Sequence, residues 1–355
     1  MTTPSPVRLI SATPSPSPTA TQAPISTNPD KLNGSSVLLW HSLSGDTRQA
    51  LEDLIKEFNR SNTWGIMASS AQVGDSKTLY DLLESDLLAH NSATTLPNLI
   101  LAAPEQIAGL NDHTGTIVNL APYIADQRYG LSQNEINAIS EEYWKQDSGL
   151  LTYQTGLPAL RDMHVLFYNQ SWAQELGFND SPTTVEAFKQ QSCTAAKSIA
   201  GTKASDGTGG WIVNTEAETL LSWMYAFGTL EMPTRATQPY NFNTPANQEL
   251  LTYLTDLFNN NCAWNSRLTS PYTYFADRQA LFYSGTLQDI SIQTRVNEHV
   301  SSNDQWKVMP YPNTLNKPVL VTSGLSYAIV QSDTSAENDS ATNLAAWLLA
   351  SWRNR

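Results

Sequence analysis

Apolar residues follow two rhythms along this chain: short unbroken runs, and longer stretches where they recur every three or four positions. Residues 37–40 form an unbroken run that predicts a strand buried on both faces. After the polar turn at His41-Ser42, Leu51, Leu54, Ile55 and Phe58 share one helical face, and Ser44 and Asp46 suit its N-terminus. Leu79, Leu82, Leu83 and Leu87 predict a second helix. Residues 97–102 read as another buried strand, followed by a short helix near 105–110. At 156–169 an apolar strand runs into Tyr168-Asn169 and a further helix. Alternating strand and helix predicts a parallel α/β sheet. Ligands gather at the carboxyl ends of strands in such sheets, where 40–44 and 102–106 fall.

The second half of the pattern is more helical. Residues 183–200 predict one helix. Residues 216–227 predict another, with Leu220, Trp223, Met224 and Phe227 on one side. Thr244-Pro245 suits the start of a third, whose apolar face is Leu250, Leu254, Leu257 and Phe258. Asp206-Gly207-Thr208-Gly209-Gly210 reads as a flexible loop ending at Trp211. Residues 280–287 read as a strand with a tight turn. The segments 306–312 and 320–330 are expected to be extended and to return to the first half. Residues 344–349 are expected to be helical. No internal repeat is visible.

At 355 residues, 40% of them hydrophobic, the chain has enough material for two lobes. Its formal charge of −13 argues against nucleic acid or an anionic membrane as partner. No apolar run of about 18 residues is long enough to span a bilayer. Residues 1–30 lack the apolar core of a secretory signal. They carry Pro4, Pro6, Pro14, Pro16, Pro18, Pro24 and Pro29 among Ser and Thr, so 1–34 is expected to be an extended or disordered tether, or else a generic linker.

A search for catalytic patterns finds little. There is neither a GxSxG elbow nor a P-loop, and Gly207-Thr208-Gly209-Gly210 does not open a helix after a strand. The five histidines are scattered without metal-ligand spacing, so no metal site is expected. Acidic pairs are too plentiful to point to a glycosidase. Ten Trp and fourteen Tyr are more informative. Sugars need flat aromatic faces beside polar groups that bond their hydroxyls. Trp40, Trp211 and Tyr311 lie near predicted strand ends, whereas Trp64, Trp144, Trp264 and Trp347 fit packing patterns.

The segments WHSLSG (40–45), LPNLILAAPEQIA (96–108), GLPALRDMHVLFYN (156–169), GTGGWIVNTEAETLLSW (207–223), DRQALFYSGT (277–286), WKVMPYP (306–312) and TSGLSYAIVQ (322–331) together resemble the extracellular solute-binding proteins of ABC importers, family 1, the maltose/oligosaccharide-binding group. The resemblance covers nearly all of 35–352. It implies a two-lobed α/β periplasmic-binding-protein-like fold of type II, each lobe a sheet flanked by helices, with a ligand cleft at a hinge near 161–165 and 306–310. The first lobe would comprise 35–162 and 308–355, and the second 163–307. Members usually continue for several helices, so a C-terminal truncation is expected.

By position, the resemblance implies ligand contacts from His41, Ser42, Ser44, Glu105, Gln106, Asp162, Trp211, Glu216, Ser284, Gly285, Thr286, Ser323 and Gly324, to which the aromatics near strand ends add Trp40 and Tyr311. The loop 284–286 would offer backbone N–H groups. Pro97-Asn98 departs from the Pro-Asp common in relatives, and Ala102 replaces an aromatic. Cys193 and Cys262 suit a disulfide in an exported chain, bracing one lobe; two unrelated buried thiols are the alternative. The implied function is capture of a carbohydrate or related polar solute by hinge closure, without catalytic residues or cofactor. The implied partners are membrane permease subunits. The implied state is a monomer, lipid-anchored through the N-terminal tether at the outer face of the membrane or in the periplasm. The alternatives are a glycoside hydrolase, and a sensory or adhesive surface protein.

Overall fold

A computed structural model of the chain describes residues 25, 27–89, 96–148, 154–200, 209–228, 241–266, 270–315, 317–331 and 336–354. Residues 1–24 of the expected tether, and Asp206-Gly207-Thr208 of the expected loop, lie outside the described residues. The packed chain begins before Ser35. Leu32 is fully buried in the core, and Ile25 N donates to Asp126 Oδ2 at 3.0 Å. That corrects the extent of the tether: Pro29–Leu32 is a short 3-10 turn capped by Asn28.

Among the described residues, nine strands form one continuous sheet. They are β1 (Ser36–His41), β2 (Met67–Gln72), β3 (Leu99–Ala102), β4 (Leu157–Asn169), β5 (Trp211–Val213), β6 (Ala263–Asn265), β7 (Phe282–Thr286), β8 (Trp306–Met309) and β9 (Val321–Ile329). The order is β2-β1-β3-β9-β4-β7-β5-β6, with β8 also on β4. The expected parallel pairing holds for β2-β1-β3 and for β7-β5-β6. Between these blocks the pairing is antiparallel. β9 pairs with β3, and β4 pairs with β9 through residues 157–164, then with β7 and β8 through 164–169. The long β4 thus changes partners midway and joins the two halves.

Both faces of each half are covered, so the buried strands read as unbroken apolar runs rather than alternations. Leu39 joins the cluster with Leu51, Ile55, Phe58 and Trp347, while its neighbour Trp40 joins the opposite cluster with Leu79, Leu83 and Ile107. In the second half, Leu166 and Tyr168 face Phe188, Trp211 and Trp223, while Val165 and Phe167 face Phe275 and Tyr283. The helix faces are narrower than the pattern suggested. Leu82, Leu220 and Phe258 are exposed; for Leu82 the reason is that Leu79, Leu83 and Leu87, one turn apart, set the buried line of the helix Ser76–Leu88.

β8 and the stretch after it pack with the second half. β8 lies along 166–169 of β4, Tyr311 sits against Trp223 at 5.2 Å, and Thr314 N donates to Ala226 O. The first half is regained at β9. The helix Ala336–Ala350 places Leu344 to Leu349 in the first-half core. Cys193, on the helix Val185–Ile199, is disulfide-bonded to Cys262.

Candidate functional site

β1 and β3 are parallel neighbours, with Trp40 opposite Ile100 and His41 opposite Leu101. Their carboxyl ends therefore bring 41–44 and 103–106 to one edge. Most of this group is already engaged. His41 is buried, its Nδ1 accepts from Leu43 N at 3.1 Å, and burial followed by the Arg48 charge holds its pKa down. Gln106 Nε2 donates to Ser76 O, and its Oε1 accepts from Ser76 Oγ and Ala103 N. Ser42, half-buried, and the exposed Ser44 and Glu105 present polar groups outward. Ser44 is the N-cap of the helix Gly45–Ser61 with its hydroxyl uncommitted to the cap.

The second polar group sits where β4 and β9 pair. Asp162 lies opposite Ser323. The two-residue period of a strand puts Asp162 and His164 on one face. His164 Nε2 meets Ser323 Oγ at 2.8 Å. Glu216, at the N-terminus of the helix Ala217–Ala226, comes within electrostatic reach of His164 from the second half. Its pKa is pushed up by burial first and by Glu218 and Asp289, while His164 opposes the rise. Asp289 completes this wall. Its Oδ1 accepts from Tyr272 Oη at 2.7 Å and its Oδ2 from Thr286 N at 2.9 Å. Burial and the Asp289 bond raise the Tyr272 pKa.

Arg161 alternates to the other face of β4. Its five donors are all used: Nε on Gln146 Oε1, Nη1 on the carbonyls of Leu160 and Leu325, and Nη2 on Asp147 Oδ2 and Ser326 Oγ. Asp147 is fully buried, and burial lifts its pKa to about 6 despite the bonds from Ser326 and Arg161; the Glu105 charge adds to the rise.

Several expected contacts have other duties. Trp211 is buried between Phe188 and Trp223, with Nε1 donating to Ser284 Oγ at 3.0 Å. Tyr311 is buried against Trp223, and Trp40 packs into the core of its half. None of the three is the open aromatic platform the sequence suggested. The glycines beside Trp211 explain the misreading. A Cβ on Gly210 would meet Cys262 O at 1.8 Å, so that glycine serves close backbone packing at the disulfide. Gly324 is similar, since a Cβ there would meet Leu160 O at 2.0 Å, beside the register shift of β4. The Thr286 N–H is committed to Asp289, and Gly285 packs against the same carboxylate. His164, Asp289, Tyr272 and Arg161 were not singled out. His164 alone carried a signal, its two-residue offset from Asp162 in a strand.

This arrangement gathers carboxylates beside the His164–Ser323 contact. Ser323 lies mid-strand, not on the strand-to-helix turn that presents a nucleophile. Among the described residues no cluster of His, Cys, Asp and Glu is arranged to hold a metal ion. An apolar pocket of about 230 Å³ lies elsewhere in the first half, between Leu43, Leu54, Leu160, Tyr327 and Leu349. It lacks the convergent polar groups of the β4–β9 crossing, which we take as the site.

No family model matches the sequence, and no curated protein does. Solved structures do match. UgpB from Mycobacterium tuberculosis, in complex with glycerophosphocholine, aligns with a TM-score of 0.67 at 15% identity, over 89% of this chain and 75% of that one. The sugar-binding protein MalE from Xanthomonas citri gives 0.66 at 17% identity over the same shares. The cyclic alpha-maltosyl-1,6-maltose binding protein from Arthrobacter globiformis gives 0.64 at 19%, over 88% of this chain and 75% of that one. This chain has the two-lobed periplasmic-binding-protein fold. Where β4 changes partners, Asp162 and His164 lie beside Ser323, and Glu216 is within electrostatic reach of His164.

Proposed function

We propose that this chain is the solute-binding component of an importer, capturing a carbohydrate or related polyhydroxylated solute between its lobes. The supporting observation is the crossing itself. β4 and β9 carry Asp162, His164 and Ser323, and the second half adds Glu216 to the same cluster. Acceptors converging on a crossing suit a ligand rich in hydroxyl donors. The fold likeness to proteins named for sugar or glycerophosphocholine binding supports the same reading.

In this reading the first lobe comprises 35–162 and 308 onward, and the second 163–307, with 308–314 remaining packed on the second. Solute settles on one lobe, and contacts from the other shift the population toward a closed form. Ser42, Ser44 and Glu105 form the near wall, and Glu216 and Asp289 the far wall. The closed form is handed to permease subunits in the membrane. No described helix is long and apolar enough to cross a bilayer, and we assign the chain to the outer face of the membrane as a monomer, held through its N-terminal segment. No bond is broken in this scheme.

A thermal-shift screen against saccharides, polyols, phosphodiesters, amino acids and peptides tests the proposal. A solute at about one hundred times its Kd should stabilise the fold by about 2.7 kcal/mol. A shift confined to amino acids or peptides would overturn the saccharide reading.

A further inference from the structure

Among the described residues the sheet ends on two outer strands, β2 and β6. An outer strand offers unpaired N–H and C=O groups to any second strand that reaches it. β6 has three residues and is guarded by its shortness. β2 has six, and residues 67–73, Met-Ala-Ser-Ser-Ala-Gln-Val, contain neither a charge nor a proline, the usual guards of an open edge. Met67 N and Val73 N donate to Ser35 O and His41 O. Strand alternation therefore turns the backbone groups of 67, 69, 71 and 73 toward β1, and those of 66, 68, 70 and 72 outward.

Side chains already occupy two of these outward positions. Asn59 Nδ2 donates to Ala68 O and its Oδ1 accepts from Ala68 N, both at 2.8 Å. Asn62 repeats the pattern on Ile66, at 3.0 and 3.1 Å. The two carboxamides stand three residues apart at the end of the helix Gly45–Ser61. A carboxamide carries a donor and an acceptor side by side, as a peptide group does. Bonding both groups of one residue reproduces what an antiparallel neighbour would do. At the far end Arg48 Nη1 donates to Gln72 Oε1 and sets a charge beside the strand. Among the described residues, no side chain bonds the outward backbone of Ser70.

We propose that Asn59 and Asn62 act as a surrogate strand, closing this edge of the sheet against a second copy of the chain. Without them the outward groups of Ile66, Ala68 and Ser70 form one open row, which two copies can pair about a two-fold axis.

Sedimentation equilibrium of the purified chain and of the Asn59→Ala/Asn62→Ala variant tests this. The parent should keep one mass from micromolar to millimolar concentrations. The variant should rise toward a dimer's mass over the same range while still melting cooperatively. Adding Ser70→Pro, which removes an outward N–H from the row, should return the variant to the parent's mass. Asn62 also caps its helix, donating to Phe58 O, so Asn59→Ala alone carries the same comparison if the double variant fails to fold. A folded variant that keeps the parent's mass at every concentration overturns the proposal. So does association that Ser70→Pro leaves intact, since it uses another surface, and so does a parent that associates and is dispersed by Ser70→Pro.

Discussion

Arg161 illustrates how a single residue fixes the crossing. Its guanidinium ties helix Glu141–Ser148, through Gln146 and Asp147, to both crossing strands. Removing one partner of a buried pair leaves the other uncompensated, so Arg161→Ala should cost about 3–5 kcal/mol in urea unfolding. A cost under about 1 kcal/mol would mean the pair is dispensable. Asp147 gives a signed pH dependence. Its folded value of about 6 exceeds the ordinary 3.8, so the folded chain holds a proton the unfolded chain has lost. The penalty for ionising it is absent below about pH 4, grows with pH, and reaches about 3 kcal/mol above about pH 6. Unfolding free energies should show this group favouring the acid side of that window, and Asp147→Asn should remove that component. An unchanged slope in the variant would assign the dependence elsewhere. Local pattern could not reveal this pair, because Asp147 reads as one acid among many until β4 brings Arg161 beside it.

At the scale of elements, the strongly periodic pieces were legible and the short or small-residue ones were not. β1, β3, β4 and the helices after them follow from apolar runs and spacing. β2, Met-Ala-Ser-Ser-Ala-Gln, carries no such run. Its place depends on the Asn59 side chain, which donates to Ala68 O and accepts from Ala68 N, both at 2.8 Å. β5 and β6, three residues each, are defined by long-range pairing that no window shows. Trp211 shows how an aromatic is misread: a Trp beside glycines looks like an open platform, yet here Gly210 lets the backbone of Cys262 close against it. The disulfide joins positions separated by 69 residues, so reduction should remove about 4 kcal/mol in the chain-entropy model. It should leave solute affinity unchanged, since both cysteines lie away from the crossing; comparative melts and titrations with and without reductant check both. The final helix is a second stabilising element. Trp347 is fully buried with Nε1 donating to Tyr129 O at 2.6 Å, so Trp347→Ala should cost about 3–5 kcal/mol in chemical denaturation.

Across the whole molecule, one sheet serves two halves because β4 changes partners in mid-course. The resemblance of scattered segments conveyed this architecture, whereas periodicity alone suggested only a parallel sheet. The site was legible in part. Asp162 and Ser323 face each other across β4 and β9, whereas the expected aromatics Trp40, Trp211 and Tyr311 are buried, and the His164–Ser323 contact emerges only from the paired strands. Solute capture as proposed requires a fold that closes around its solute. Small-angle scattering of the purified chain, with and without the solute that most raises its melting temperature, tests this most directly. Lobe closure predicts a smaller radius of gyration with solute, saturating over the same concentrations as the thermal shift. A solute that stabilises the chain while leaving the scattering curve unchanged would contradict closure of the lobes.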